Sequence, residues 1–194
     1  MSTTKVAIIY YSQTGTLATM AQRLASTAEA LGADVRLRAV GRDGAAGVED
    51  VEDVEGQPEQ PTPDDVVWAD VVLFGTPTRF GNVAGRLKVF IDSLGGPWSQ
   101  GLLADKVYAG FTSTQTLHGG QESTLLNLYT TFHHFGGIIV SPGYTDGSKF
   151  VDGNPYGVSH VTGAANDLPV DKIADIALDH LVTRAISISQ RLNS

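Results

Sequence analysis

The stretch Val6-Ala7-Ile8-Ile9-Tyr10-Tyr11-Ser12-Gln13-Thr14-Gly15-Thr16-Leu17 (residues 6–17) carries the argument about fold. Its first half is apolar at every position, as in a parallel strand covered on both faces. Its second half packs hydroxyls, an amide and one glycine into the turn ahead of an amphipathic segment. That segment has one apolar stripe, Leu17, Met20, Ala21, Leu24, Ala28 and Leu31, and Gly32 stops it. A plain turn needs one Gly or Asn rather than a row of hydrogen-bonding groups, so the loop invites the question of what it holds.

The same alternation continues along the chain. Strand-like runs fall at 5–11, 34–40, 71–75, 107–111 and 138–141. The run at 34–40 alternates Val35, Leu37 and Ala39 with Arg36 and Arg38, as a less buried edge strand does. Between the runs, helical stripes appear over Val83, Leu87, Phe90, Ile91 and Leu94, and over Leu125, Leu128, Tyr129 and Phe132. A last stripe runs from Ile173 to Leu192, with Pro169 as its expected first-turn residue. β-α-β alternation over 194 residues predicts one α/β domain: a doubly wound, five-stranded parallel sheet with helices on both faces. Residues 41–65 and 141–168 fit no element and read as long insertions in this single domain (1–194), of the kind used for function or assembly.

Composition removes several classes of function. The net charge of −8 is concentrated between Glu49 and Asp65, where eight acids occur with no Lys or Arg; the other 13 acids equal the 13 basic residues. No basic patch is left to displace the counterions of a nucleic acid. There is no cysteine, which excludes disulfides, thiolate chemistry and Cys-ligated metal. No other metal site is expected. The first apolar run is too short for a signal peptide or membrane span, so a cytoplasmic location without membrane association is the expectation.

In a doubly wound sheet, ligands sit beyond the carboxyl ends of the strands. The loops there are 12–17, 76–82 (Thr-Pro-Thr-Arg-Phe-Gly-Asn) and 112–120 (Thr-Ser-Thr-Gln-Thr-Leu-His-Gly-Gly). All are rich in hydroxyls, amides and glycines, and the topology gathers them into one pocket. The first opens a helix, whose amides and dipole suit a phosphate, with Ser12, Thr14 and Thr16 adding hydroxyls and Gly15 allowing close approach. The nearest basic residue, Arg23, lies eight positions past Gly15, so such a phosphate is gripped by neutral donors. An ordinary helix cap is the alternative for this loop taken alone. None of the 22 glycines forms a G-x-G, and no G-x-x-x-x-G-K-[ST] is present, so neither standard nucleotide loop applies.

The segments YYSQTGT (10–16), GTPTRFGNVAGRLKVFIDSLGGPW (75–98), FTSTQTLHGGQE (111–122) and PYG (155–157) together resemble the WrbA family of flavodoxin-like NAD(P)H:quinone oxidoreductases. The resemblance spans nearly the whole chain. It implies a flavodoxin-like fold, FMN as cofactor, NADH or NADPH as electron donor, a quinone as acceptor, and homotetramers that help close the flavin sites. By position, it implies that Ser12, Gln13, Thr14, Gly15, Thr16 and Leu17 surround the FMN phosphate. Pro77, Thr78, Arg79, Phe80 and Gly81 then run along the flavin ring, and Ser113, Thr114, Gln115, Thr116, Gly119 and Gly120 form the third cofactor loop. Trp98, Phe80 and a histidine that also contacts the cofactor, His134 or its neighbour His133, are implied on the substrate side. The chain departs from the family at Thr16, where relatives often carry histidine.

Simpler roles stand beside these. The two histidines also suit the negative end of a helix dipole. Trp98 and Tyr144 could pack or contact a subunit, His118 and Gln121 could hold a loop, and Asp92 suits a solvated face. A bound flavin accounts for a site without a catalytic triad, because the cofactor carries the difficult chemistry. The expected reaction is a ping-pong two-electron reduction of quinones to hydroquinones. The rival is a flavodoxin-type electron carrier with no substrate of its own.

Overall fold

The computed structural model describes residues 3–41 and 58–193. The acidic stretch 42–57 lies outside them, and with it most of the first expected insertion.

The sheet is parallel throughout. Strands β1 (Lys5–Tyr10), β2 (Asp34–Ala39), β3 (Val71–Pro77) and β4 (Val107–Thr114) lie in the order β2-β1-β3-β4. The fifth position is shared: β5 (Ile138–Ile139) pairs with the start of β4, and β6 (Val158–Val161) with its end. The single expected strand at 138–141 is therefore interrupted, giving six strands in five places. Residues 140–157 leave the sheet and return to it. Their excursion contains α6 (Lys149–Asp152), whose Lys149 is fully buried and donates to Gly157 O at 2.8 Å and to Asp152. Burial pulls the Lys149 pKa down, against the pull of the Asp152 carboxylate. The stretch 141–168 thus holds a helix and a strand. A strand of four residues containing Ser159 and His160 gave no apolar run to read.

Because alternate strand residues face opposite ways, β1 splits the core in two. Val6, Ile8 and Tyr10 meet α1 (Thr16–Ala30) and α7 (Lys172–Leu192) on one face. Ala7, Ile9 and Tyr11 meet α2 (Pro63–Trp68), α3 (Gly85–Asp92) and α5 (Gln121–Phe135) on the other. The helices begin at the rim formed by the carboxyl ends of the strands, so the loops feeding α1 and α7 share one face of that rim. The loops feeding α3 and α5 share the other.

Three local details differ from the sequence expectations. The last helix starts at Lys172 rather than near Pro169, because Asp171 is the N-cap and accepts from Ala174 N at 2.8 Å. The Gly-Gly-Pro-Trp segment is itself a short helix, α4 (Gly95–Ser99). The arginines of the edge strand are not simply solvated: Arg36 and Arg38 both reach the buried Asp65 at the head of α2. Burial raises the pKa of Asp65, but the Thr62 N–H and the two guanidiniums outweigh it and hold the carboxyl below its usual value. Among the described residues, no helix is long and apolar enough to cross a membrane.

Candidate cofactor site

Beyond the carboxyl ends of β1, β3 and β4 lies a cavity of about 510 Å³, within the range of small-molecule sites. All three post-strand loops line it. The first supplies Gln13, Thr14 and Leu17, the second Pro77, Thr78, Arg79 and Phe80, and the third Ser113, Thr114, Gln115, Thr116 and Gly119. Ser12, Gly15, Thr16, Gly81 and Gly120 shape the same loops without lining the cavity. A second cavity of about 680 Å³ shares Arg79 and reaches Arg86, Val89 and Phe90, bordered by Gly41 and Gln60.

The first loop delivers α1 without a cap. Gly15 stands at the N-cap with φ 97°, a left-handed conformation that suits glycine, and provides no side-chain cap. Ser12 Oγ instead accepts from Gly15 N at 3.1 Å, which leaves its own proton to donate outward. No acid occurs in the first turn. Arg23, the nearest base in sequence, is committed to Asp179 of α7 and not to this loop.

The second and third loops are fastened by Thr78. Its hydroxyl donates to Gly119 O at 3.3 Å and accepts from Gly81 N at 3.2 Å and Thr124 Oγ1 at 2.7 Å. Their approach leaves no room for side chains: a Cβ on Gly120, already at φ 89°, would fall 2.8 Å from Gly81 Cα. Gln121 closes the third loop by donating to Thr114 Oγ1 and Leu117 O. Arg79 donates to Gln13 Oε1 at 2.6 Å and Thr78 O at 2.9 Å, which sets its guanidinium between the first and second loops. Phe80 takes a left-handed backbone, φ 53°, and its ring is fully exposed.

Two further lining residues, Thr162 and Asn166, come from the loop after β6. Sequence reading missed them because β6 itself was not legible. The signal would have been a fourth Thr/Gly/Asn-containing segment, 162–166, following a strand.

Trp98 and His134 do not join the others. Trp98 Nε1 donates to His134 O at 2.7 Å, and Asp105 N donates to Gly136 O just beyond it. Both residues lie by the start of β4, at the amino-terminal rim, since α5 runs antiparallel to the strands. Trp98 is half exposed there, and His133 and His134 occupy the last turn of α5. Tyr144 is on the excursion, its hydroxyl donating to Gly153 O and its ring near Phe150. His118 is exposed beside the third loop, and Asp92 pairs with Lys88 on the surface of α3.

The residues around the cavity fit a mononucleotide carrying a flat ring. An uncapped helix start suits a phosphate, and two loops held close at Gly81 and Gly120 border the cavity beside an exposed aromatic ring and a fixed arginine.

Comparison with known proteins points the same way. Residues 4–150 match the family model described as NADPH-dependent FMN reductase. An NAD(P)H dehydrogenase (quinone) from Deinococcus radiodurans is 42% identical over 196 residues, covering 97% of this chain and 96% of the relative. A protein of the same name from Geotalea daltonii is 39% identical over 175 residues, 84% of this chain and 85% of the relative. Among solved structures, a WrbA-like flavodoxin from Agrobacterium tumefaciens superposes with a TM-score of 0.70 at 24% identity, over 97% of this chain and 99% of that one. Flavodoxin 1 from Bacillus cereus gives 0.65 at 14% identity, over 95% and 98%. These two likenesses establish the flavodoxin-like fold.

Proposed function

The chain belongs to the NADPH-dependent FMN reductase family, and on that premise we propose that it is an FMN-dependent NAD(P)H:quinone oxidoreductase. The observation that carries this reading is the convergence of three post-strand loops on one cavity, beside an uncapped helix start and lined by Arg79 and Phe80. The names of the curated relatives support the choice of NAD(P)H and quinone as the reactants.

Bound FMN supplies two-electron redox chemistry: hydride acceptance from a nicotinamide and reduction of a quinone to its hydroquinone. The protein's part is to bind and orient. The first-turn amides of α1 and the hydroxyls of Ser12, Thr14 and Thr16 hold the phosphate. Thr78 and the Gly81–Gly120 contact fix the two loops that flank the ring. Arg79, held in place by Gln13, keeps a positive charge at the rim and favours negative charge there. Phe80 offers a flat apolar surface on which a nicotinamide or a quinone stacks.

Both substrates use the same open side in turn, which makes the kinetics ping-pong. Trp98 and His134 cannot flank the cavity of their own chain, so a substrate-side role places them at the cavity of another subunit. This agrees with the homotetramer that the family resemblance implies. A cytoplasmic location belongs to the same proposal.

The test is steady-state reduction of benzoquinone by the FMN-loaded protein with NADH and with NADPH. Sustained turnover with parallel double-reciprocal lines is expected, at a rate per subunit that falls when dilution dissociates the assembly. FMN binding without turnover from either nicotinamide overturns the enzyme reading and leaves an electron carrier.

A further inference from the structure

Resting on the FMN reading above, we propose that Asn166 is an additional cofactor-anchoring residue whose side-chain amide donates to the FMN phosphate. The loop after β6 carries it to the cavity, which it lines with Thr162. Its loop feeds α7, which shares one face of the sheet with α1, and so approaches the cavity from the side of the phosphate. The loops expected along the ring feed α3 and α5 on the other face.

Asn166 is held for this task rather than merely near it. Its backbone is left-handed at φ 56°, which Asn tolerates better than most residues. The turn is closed by Asn166 N to Gly163 O and Leu168 N to Thr162 O, both at 3.0 Å. Gln115 of the third cofactor loop donates to Ala164 O, which ties the two loops together. Thr162 then fixes the amide's orientation. Its hydroxyl has one proton and two acceptors in range, Asn166 Oδ1 at 2.9 Å and Thr114 O at 3.0 Å. Thr114 O also receives Thr162 N at 2.7 Å, so it keeps a donor when the hydroxyl proton goes to Oδ1. Oδ1 is thereby occupied and the two Nδ2 protons are left for the cavity.

The need for such a donor follows from charge. Among the described residues the only cation lining the cavity is Arg79, whose guanidinium is already engaged by Gln13 Oε1 and Thr78 O. Arg23 is turned to Asp179. With both guanidiniums already partnered, a phosphate dianion at α1 draws largely on neutral N–H and O–H donors, and each one aimed at it carries more weight than one beside an unpaired lysine. A hydrogen bond to a charged group is strong enough for its loss to be measured as about a tenfold change in affinity.

The test uses apoprotein titrated with FMN and with riboflavin, which lacks the phosphate, followed by flavin fluorescence. Asn166→Gly keeps the left-handed backbone and deletes the donor. It is expected to weaken FMN about tenfold while riboflavin changes less than twofold. Asn166→Asp keeps the shape and sets a carboxylate against the phosphate, and is expected to weaken FMN about 100-fold, again with riboflavin nearly unchanged. Equal losses for the two flavins, or no loss for FMN in either variant, overturn the phosphate contact. Circular dichroism of each apoprotein shows whether the loop change has spread to the fold. If the unaltered protein takes up neither flavin, the FMN reading itself has failed, an outcome separate from any effect of Asn166.

Discussion

Helices α1 and α7 lie side by side on one face of the sheet and begin at the same rim, yet their first turns are finished in opposite ways. α7 is closed by its own chain: the Asp171 carboxylate accepts from Ala174 N, and Asp175 adds a second acid. α1 has Gly15 at its N-cap, which supplies no side-chain cap, and no acid in the first turn. Both helices have the same dipole and the same unpaired donors. What separates a structural helix start from an anion site is therefore what the sequence withholds. A capping carboxylate stabilises α7 and would compete with the phosphate at α1.

The largest expected effect comes from making α1 resemble α7. Thr16→Glu puts a carboxylate in the first turn. FMN affinity should fall about 100-fold, from like-charge repulsion near a protein surface, with riboflavin affinity within about threefold of the original. Fluorescence titration of the apoprotein decides; an unchanged FMN affinity would sink the assignment of the phosphate to this helix.

The reciprocal change is smaller and falls on stability. Asp171→Ala removes the cap of α7 and should cost about 1 kcal/mol in urea unfolding of the apoprotein, with FMN affinity unaltered. A loss of FMN affinity as large as that of Thr16→Glu would mean the two helix starts are not functionally distinct.

The smallest effect belongs to the link between the helices. Arg23 of α1 and Thr27 both donate to Asp179 of α7. The Arg23 hydrogen bond, opposed by partial burial and helped by Thr27, holds the Asp179 pKa below the usual carboxyl value. A depressed acid contributes stability above its unfolded pKa, and that stability is lost as pH falls through the folded value. Arg23→Gln should therefore cost under about 1 kcal/mol at pH 7, less in high salt, and the penalty should fade below about pH 4. FMN affinity should not move. A drop there would return Arg23 to the phosphate and erase the contrast between the helices.

Much of this arrangement was legible in the sequence, for identifiable reasons. Strands 6–11 and 71–75 are apolar on both faces, and a doubly wound sheet forces the loops that follow them together. The family resemblance read from 75–98 and 111–122 is borne out by the match over residues 4–150 and by the curated relatives. What escaped notice depends on tertiary pairing. β6 is four residues long and takes its place only because the end of β4 is free to receive it. With β6 unseen, Thr162 and Asn166 had no rim to stand on. Spacing also could not show that Trp98 and His134 sit at the far rim, because that depends on which end of the sheet the close of α5 reaches. The start of α7 was misplaced by Pro169, a residue permitted in a first turn, whereas Asp171 supplies an actual hydrogen bond.

Phe80 has a consequence for how this chain can change over time. A bulky residue in the left-handed region costs roughly 1–2 kcal/mol, and a fully exposed ring recovers none of that by packing. Glycine would remove the cost, so selection for a sturdier monomer alone pushes this position toward glycine. Persistence of an aromatic ring at 80 in an evolving lineage is then a record of selection for something other than stability.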